Sequence, residues 1–262
     1  MAALGKIGGY EIDVLVQGYP GKSVCHGGLG WSTIALLRGH GRVALVDAGS
    51  FAQRQPVLDR LQARGLLPGD VTDLLLTHSH WDHSVNWVMF PNASVAIGGT
   101  ELDWSLNEPW DMTPVPELYV RELAASAQVR RVRAVETVLP GIVAYDAPGH
   151  TPGHLVFCLD GGDRDVIFSG DAAKNRAELL SRTADMTYDP AISRATMEAI
   201  WAMWRRRAGS VLVPGHDLPM ELAEGAPRYL GSRSAAILSW FGEDLDQVKL
   251  FQLLPFDAEP PR

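Results

Sequence analysis

Residues 77–84 read THSHWDHS and directly follow the apolar run Leu74–Leu76. Three imidazoles and a carboxylate, His78, His80, Asp82 and His83, fall within six positions. In an extended segment His78 and His80 point to one side. Asp82 and His83 come at a turn into a helix and face a second point nearby. Four other short apolar runs end in the same style, at VDAG (Asp47), PGHTPGH (His150 and His154), SGDA (Asp171) and PGHD (His216). A chain carrying this pattern is expected to end several strands at one edge, because a rigid sheet is what positions loop side chains together.

The donor types point to metal. Imidazole suits zinc and other first-row ions, while carboxylates suit harder ions and can bridge two. Five histidines and two aspartates exceed what one tetrahedral ion needs, and they match two ions that share a carboxylate. His40 and His154 read more simply as hydrogen-bonded structural histidines.

HSHWDH, then GHTPGH, SGDA and PGHD, resembles the metallo-β-lactamase-fold hydrolase superfamily, with the motifs in that family's order from Asp47 to His216. The resemblance implies an α/β fold, a four-layer αββα sandwich of two similar halves, with metals at the edge of the two sheets. It implies that His78, His80 and His150 bind one ion, that Asp82, His83 and His216 bind the second, and that Asp171 bridges them. Asp47 matches the aspartate that orients ligands without touching metal. Two divalent ions are implied, zinc first, with iron or manganese as alternatives.

Departures narrow the reading. β-Lactamases of this fold carry Cys or Ser at the position of Asp171, and flavodiiron proteins carry Glu at that of His80. N-acyl homoserine lactonases match the ligand set but place a tyrosine three positions after the bridging aspartate, where this chain has Lys174. Glyoxalase II enzymes are similar in ligands and add a C-terminal glutathione-binding helical extension. The expected activity is hydrolysis of a small lactone or other carboxylic ester by a metal-activated hydroxide, with Asp82 and Asp171 as the catalytic carboxylates. The alternatives are a thioesterase, a phosphodiesterase or nuclease, and a mononuclear iron dioxygenase of the same fold. The expected substrate-side residues are His26, Trp104 and Trp110 on the segments 19–31 and 104–118, the latter read as a long ordered loop, with Trp81 inside the metal motif and Lys174 just after Asp171.

Elsewhere the sequence is that of one domain, 1–262. Strands are expected at Ile12–Val16, Ser32–Leu37, Val43–Val46, Leu74–Thr77, Val95–Ile97, Val132–Val138, Ile142–Tyr145, Leu155–Leu159, Val166–Phe168 and Val211–Val213. Helices are expected at 56–63, 84–90, 174–180 and 191–207, the last with an apolar face of Ile192, Ala195, Ala199, Ala202 and Met203. A net charge of −8 argues against a general grip on nucleic acid phosphates. Cys25 and Cys158 are too few and too far apart for a disulfide framework. No apolar run is long enough to span a membrane. The expectation is therefore a soluble cytoplasmic protein acting on a small molecule, with a homo-oligomer possible.

Overall fold

The computed structural model describes residues 3–25 and 27–253. They form two compact units that divide between Leu230 and Gly231.

The first unit opens with β1 (Ala3–Ile7), β2 (Tyr10–Val16), the two-residue pair β3 (Lys22–Ser23) and β4 (Gly27–Gly28), β5 (Ile34–Gly39) and β6 (Arg42–Val46). Then come α1 (Arg54–Gln62), β7 (Asp73–Leu75), α2 (Trp81–Ser84), β8 (Ser94–Gly98), α3 (Gly99–Asn107), α4 (Glu117–Ala125) and β9 (Val129–Val132). Seven of these strands make one sheet in the order β1-β2-β5-β6-β7-β8-β9. The chain then builds a second sheet from β10 (Glu136–Leu139), β11 (Ile142–Asp146), β12 (Leu155–Asp160), β13 (Asp165–Gly170), β14 (Val211–Pro214), β15 (Met220–Ala223) and β16 (Ala226–Tyr229), in sequence order. α5 (Arg176–Ser181) and α6 (Pro190–Arg205) lie between β13 and β14 in the chain.

Three apolar clusters define the layers. One lies between the sheets, where Ile12, Leu37 and Val46 meet Ala144, Phe157, Phe168 and Val213. A second covers the outer face of the first sheet, where Leu36, Leu45 and Ile97 meet Val57 and Leu61 of α1, Leu102 of α3 and Val120 of α4. The third covers the outer face of the second sheet, where Val156, Ile167 and Leu212 meet Leu179 of α5 and Ile200, Trp201 and Trp204 of α6. This is the expected αββα sandwich. Strands buried on both faces read as continuous apolar runs. In β13, Val166 and Phe168 point to the inner cluster and Ile167 to the outer one. Each such large side chain contributes about 1.5–3 kcal/mol by leaving water.

Three local expectations fail. Residues 132–138 are not one strand: β9 ends at Val132 in the first sheet, β10 begins at Glu136 in the second, and Val135 turns the chain with φ +54°. Segment 104–118 is not all loop, because Trp104–Asn107 closes α3 and Glu117 opens α4, leaving 108–116 between them. The buried face of α6 is Ser193, Thr196, Met197, Ile200, Trp201 and Trp204, while Ile192 is exposed. The two tryptophans remove far more surface from water than alanines can, so they decide the helix's rotation.

The second unit contains the antiparallel pair β17 (Ala236–Trp240) and β18 (Val248–Gln252). Among the described residues no helix is long and apolar enough to cross a membrane.

Candidate metal centre

Strands β6, β7 and β8 run parallel, as do β13 and β14, so the C-terminal ends of each set share an edge. Asp47 follows β6, residues 77–83 follow β7, Asp171 follows β13 and His216 follows β14. His150 sits on the β11–β12 loop. Two backbone hydrogen bonds tie the sheets at this edge, Leu155 N–H to Thr77 O (2.8 Å) and Thr33 N–H to Gly215 O (2.6 Å). The approach is close enough that a Cβ on Gly170 would sit 2.7 Å from the Thr77 side chain.

Seven side chains converge there in three overlapping groups: His78, His80 and His150; His78, His83 and Asp171; Asp82, His83 and His216. All but the partly exposed Asp82 are buried. His150 Nε2 is 3.0 Å from His80 Nδ1 and 3.4 Å from Asp171 Oδ2. Asp171 Oδ1 is 3.1 Å from His83 Nε2 and 3.2 Å from His216 Nε2, and Asp82 Oδ2 is 3.3 Å from His216 Nε2. Donors around one tetrahedral ion at about 2.0–2.1 Å stand ~3.3 Å apart, so these spacings suit a metal. An unmet lone pair agrees with this: His78 Nε2 is buried without a hydrogen-bond partner, a costly state unless an ion fills it.

Asp47 fixes the rings. Its carboxylate accepts hydrogen bonds from the Thr77 amide (2.8 Å), the Thr77 hydroxyl (2.9 Å to Oδ2) and His83 Nδ1 (2.8 Å). The one hydroxyl proton of Thr77 goes to Asp47, so His78 donates its Nδ1–H to Thr77 Oγ1 at 3.0 Å. His78 thereby keeps a bare Nε2, and His83 turns its Nε2 towards Asp171. His154 joins none of the three groups. Its Nε2 accepts the Asp171 backbone N–H at 3.0 Å, and burial pushes its pKa down to about 3, so it serves as a neutral acceptor.

The electrostatics divide the cluster. Burial lowers His78 and His150 well below the ordinary imidazole range and His80 to about 4. Burial would lower His216 too, but Asp171 and Asp82 outweigh it and push its pKa up to about 9. His83 is raised well above its ordinary value against burial by Asp171, Asp82 and Asp47. Burial works against ionised Asp171, yet His216, His83 and His150 hold it well below the carboxylate range.

The expected substrate-side residues divide as well. Trp104 lies beside the centre, its ring 6.3 Å from that of His80 and 5.9 Å from that of Tyr188. Trp81 is exposed at the start of α2 and donates its amide to Pro114 O at 3.0 Å. Trp110 is exposed under the Arg121 guanidinium, 4.7 Å from its ring centre. Lys174 folds back to Glu178, with Nζ 3.1 Å from Oε1. It is close enough to His80 and His150 for its charge to lower both. His26 lies outside the described residues.

Sequence reading missed Tyr188, and it missed Glu101 of α3. Glu101 is fully buried and accepts hydrogen bonds from two of the ligand-bearing loops. Burial raises its carboxyl pKa, and the hydroxyls of Thr151 and Ser79 pull the other way.

Comparison with known proteins follows the same lines. The sequence profile described as the metallo-beta-lactamase superfamily matches residues 27–216. Human metallo-beta-lactamase domain-containing protein 1 is 26% identical over 76% of this chain and 67% of its own length. An N-acyl homoserine lactonase of Bacillus thuringiensis is 21% identical over 65% of this chain and 66% of its own. The match thus spans about two thirds of these relatives, and 51% of a Mycobacterium tuberculosis metallo-hydrolase that is 26% identical over 54% of this chain. Among solved structures, the dizinc quorum-quenching lactonase AidC superposes with a TM-score of 0.64 at 18% identity, over 87% of this chain and 93% of that one. A candidate metallo-beta-lactamase of Thermotoga maritima gives 0.67 at 23% identity, over 82% and 100%.

Proposed function

Because the chain belongs to the metallo-beta-lactamase superfamily, we propose that it is a dinuclear metal-dependent hydrolase that opens a small lactone or cleaves a related carboxylic ester. The observation that carries the reading is the pair of donor groups sharing Asp171. His78, His80 and His150 would hold one divalent ion and Asp82, His83 and His216 a second, with one Asp171 oxygen near His150 and the other near His83 and His216. Ions held there would lower the pKa of water and polarise an ester carbonyl.

The chain's own residues do the rest. Asp47 and Thr77 lock the tautomers that present bare Nε2 atoms to the centre. Asp82, the most exposed of the seven donors, would take the proton given up by the attacking water and pass it to the leaving alkoxide. Trp104 beside His80, with Tyr188 against it, would supply an apolar wall for the body of the substrate. Similarity to lactonases, at low identity, supports an ester among hydrolysable substrates.

The test is a panel of lactones, thioesters and phosphodiesters, run on zinc-loaded protein with metal counted per chain. Highest kcat/KM on a lactone or ester with two zinc per chain is expected. A preference for thioesters or phosphodiesters would replace the substrate class, and a single bound iron would replace the reaction.

Lys174 enters the proposal as a substrate-side cation. Glu178 takes one face of its ammonium and leaves other N–H groups free. Lys174→Met is expected to keep both metals and to lower kcat/KM by ~10-fold, equal to about 1.4 kcal/mol. A loss confined to KM would mean ground-state binding, and one in kcat would mean stabilisation of the oxyanion. Unchanged kinetics would remove Lys174 from the site.

A further inference from the structure

Glu101 is the most completely satisfied buried carboxylate near the centre, and none of the reaction steps uses it. Oε1 accepts the Ser79 amide at 2.9 Å and the Ser79 hydroxyl at 2.7 Å. Oε2 accepts the Thr151 hydroxyl at 2.7 Å and the Gly153 amide at 3.2 Å. Ser79 stands between His78 and His80, and Thr151 follows His150. One carboxylate therefore holds, on its two oxygens, the two loops that supply the three-histidine group. The packing leaves little slack: a Cβ on Gly153 would collide with the Glu101 backbone, and one on Gly98 would sit 2.5 Å from Gly153 O.

Only a carboxylate suits this place. Each oxygen faces a backbone N–H, which can only donate, so both oxygens must accept. Glutamine has one acceptor atom, and its amide group would turn two hydrogens towards a peptide N–H and a hydroxyl on one side. One bond would become a repulsive contact, and a buried N–H would be left unmet.

We propose that Glu101 is a positioning residue that sets the separation of His78 and His80 from His150, and thereby the affinity of the three-histidine group for its ion. This rests on the reading of that group as a metal site, but not on which bond the protein hydrolyses.

The test uses cobalt(II) as the probe and His216→Ala protein as the parent, which breaks the group of Asp82, His83 and His216 and leaves the three-histidine group whole. Affinity is read by competition with a chromophoric chelator, without substrate. Adding Glu101→Gln is expected to weaken cobalt(II) binding by ~10–100-fold, the usual cost of losing a ligand's support. Thr151→Val removes one of the four bonds and is expected to weaken the same site by less. Leu102→Ala, a buried neighbour on α3 that packs in the outer cluster, is expected to lower the melting temperature and leave cobalt affinity unchanged. The proposal is overturned if Glu101→Gln and Thr151→Val bind cobalt(II) as the parent does, or if Leu102→Ala weakens binding as much as Glu101→Gln. A parent that binds no cobalt(II) would overturn the metal-site premise with it, whereas a failed lactone panel would sink only the hydrolase reading.

Discussion

Asp171→Ala is expected to lose at least one of two bound metals and at least ~100-fold in kcat. Removal of a supporting residue alone costs about 10–100-fold, and Asp171 is more than a support. Its two oxygens reach towards different donor groups, 3.4 Å from His150 Nε2 on one side and 3.1–3.2 Å from His83 and His216 on the other. If two ions share this carboxylate as proposed, its removal would take a ligand from both and a negative charge from between two cations. Asp171→Asn is the informative companion, since it keeps an oxygen donor and discards the charge. Metal counted by mass spectrometry against chain concentration decides the matter. Two metals per chain and wild-type turnover in the alanine variant would be fatal to a bridged pair.

Chelation is expected to abolish hydrolysis, while alkylation of the exposed Cys25 leaves it intact. Cys158 is buried, and burial pushes its thiol up to about 11, which keeps it unreactive. The stripped protein should also acquire a particular pH response. With His216 raised to about 9 when folded and near 6.5 when unfolded, the folded state binds the proton more tightly. Its stabilisation is complete below about 6.5 and is lost as the pH rises through about 9. His83 is shifted in the same direction. The melting temperature of chelated protein should therefore fall between pH 6.5 and 9. Metal-loaded protein should not follow it, because metal displaces those protons and binds better as the pH rises. A flat or rising apoprotein curve would contradict the charge assignment at His83 and His216. Loss of activity on Cys25 alkylation, prevented by substrate, would put a thiol in the site.

The centre was legible because its parts are local. HSHWDH concentrates four donors in six residues, and Asp47, His150, Asp171 and His216 each stand just past an apolar run, so strand ends and donors could be read together. The inner strands were legible for a related reason: with both faces covered, their apolar runs are uninterrupted. What escaped depends on distant partners. Glu101 has no signature of its own, and the groups it holds are 22, 50 and 52 residues away in the chain. Residues 132–138 look like one strand because periodicity does not record that the chain changes sheets at Val135. α3 was hidden by its opening glycines and by the prolines beyond it, which draw attention to the loop. The face of α6 was misread by counting apolar positions instead of weighing their area.

The passage from β9 to β10 has a consequence for what activity in this protein would report. Everything before that turn supplies His78, His80, Asp82 and His83, and everything after it supplies His150, Asp171 and His216. Each three-residue donor group draws on both sides, so neither half of the chain owns a complete one. The centre behaves as an AND gate written in coordination chemistry. An ion can be fully coordinated only when both halves are made, folded and in register. If the chain were cut between Val132 and Glu136, the metal would become the reporter of reassembly, and its apparent affinity would measure the effective concentration that the intact turn provides.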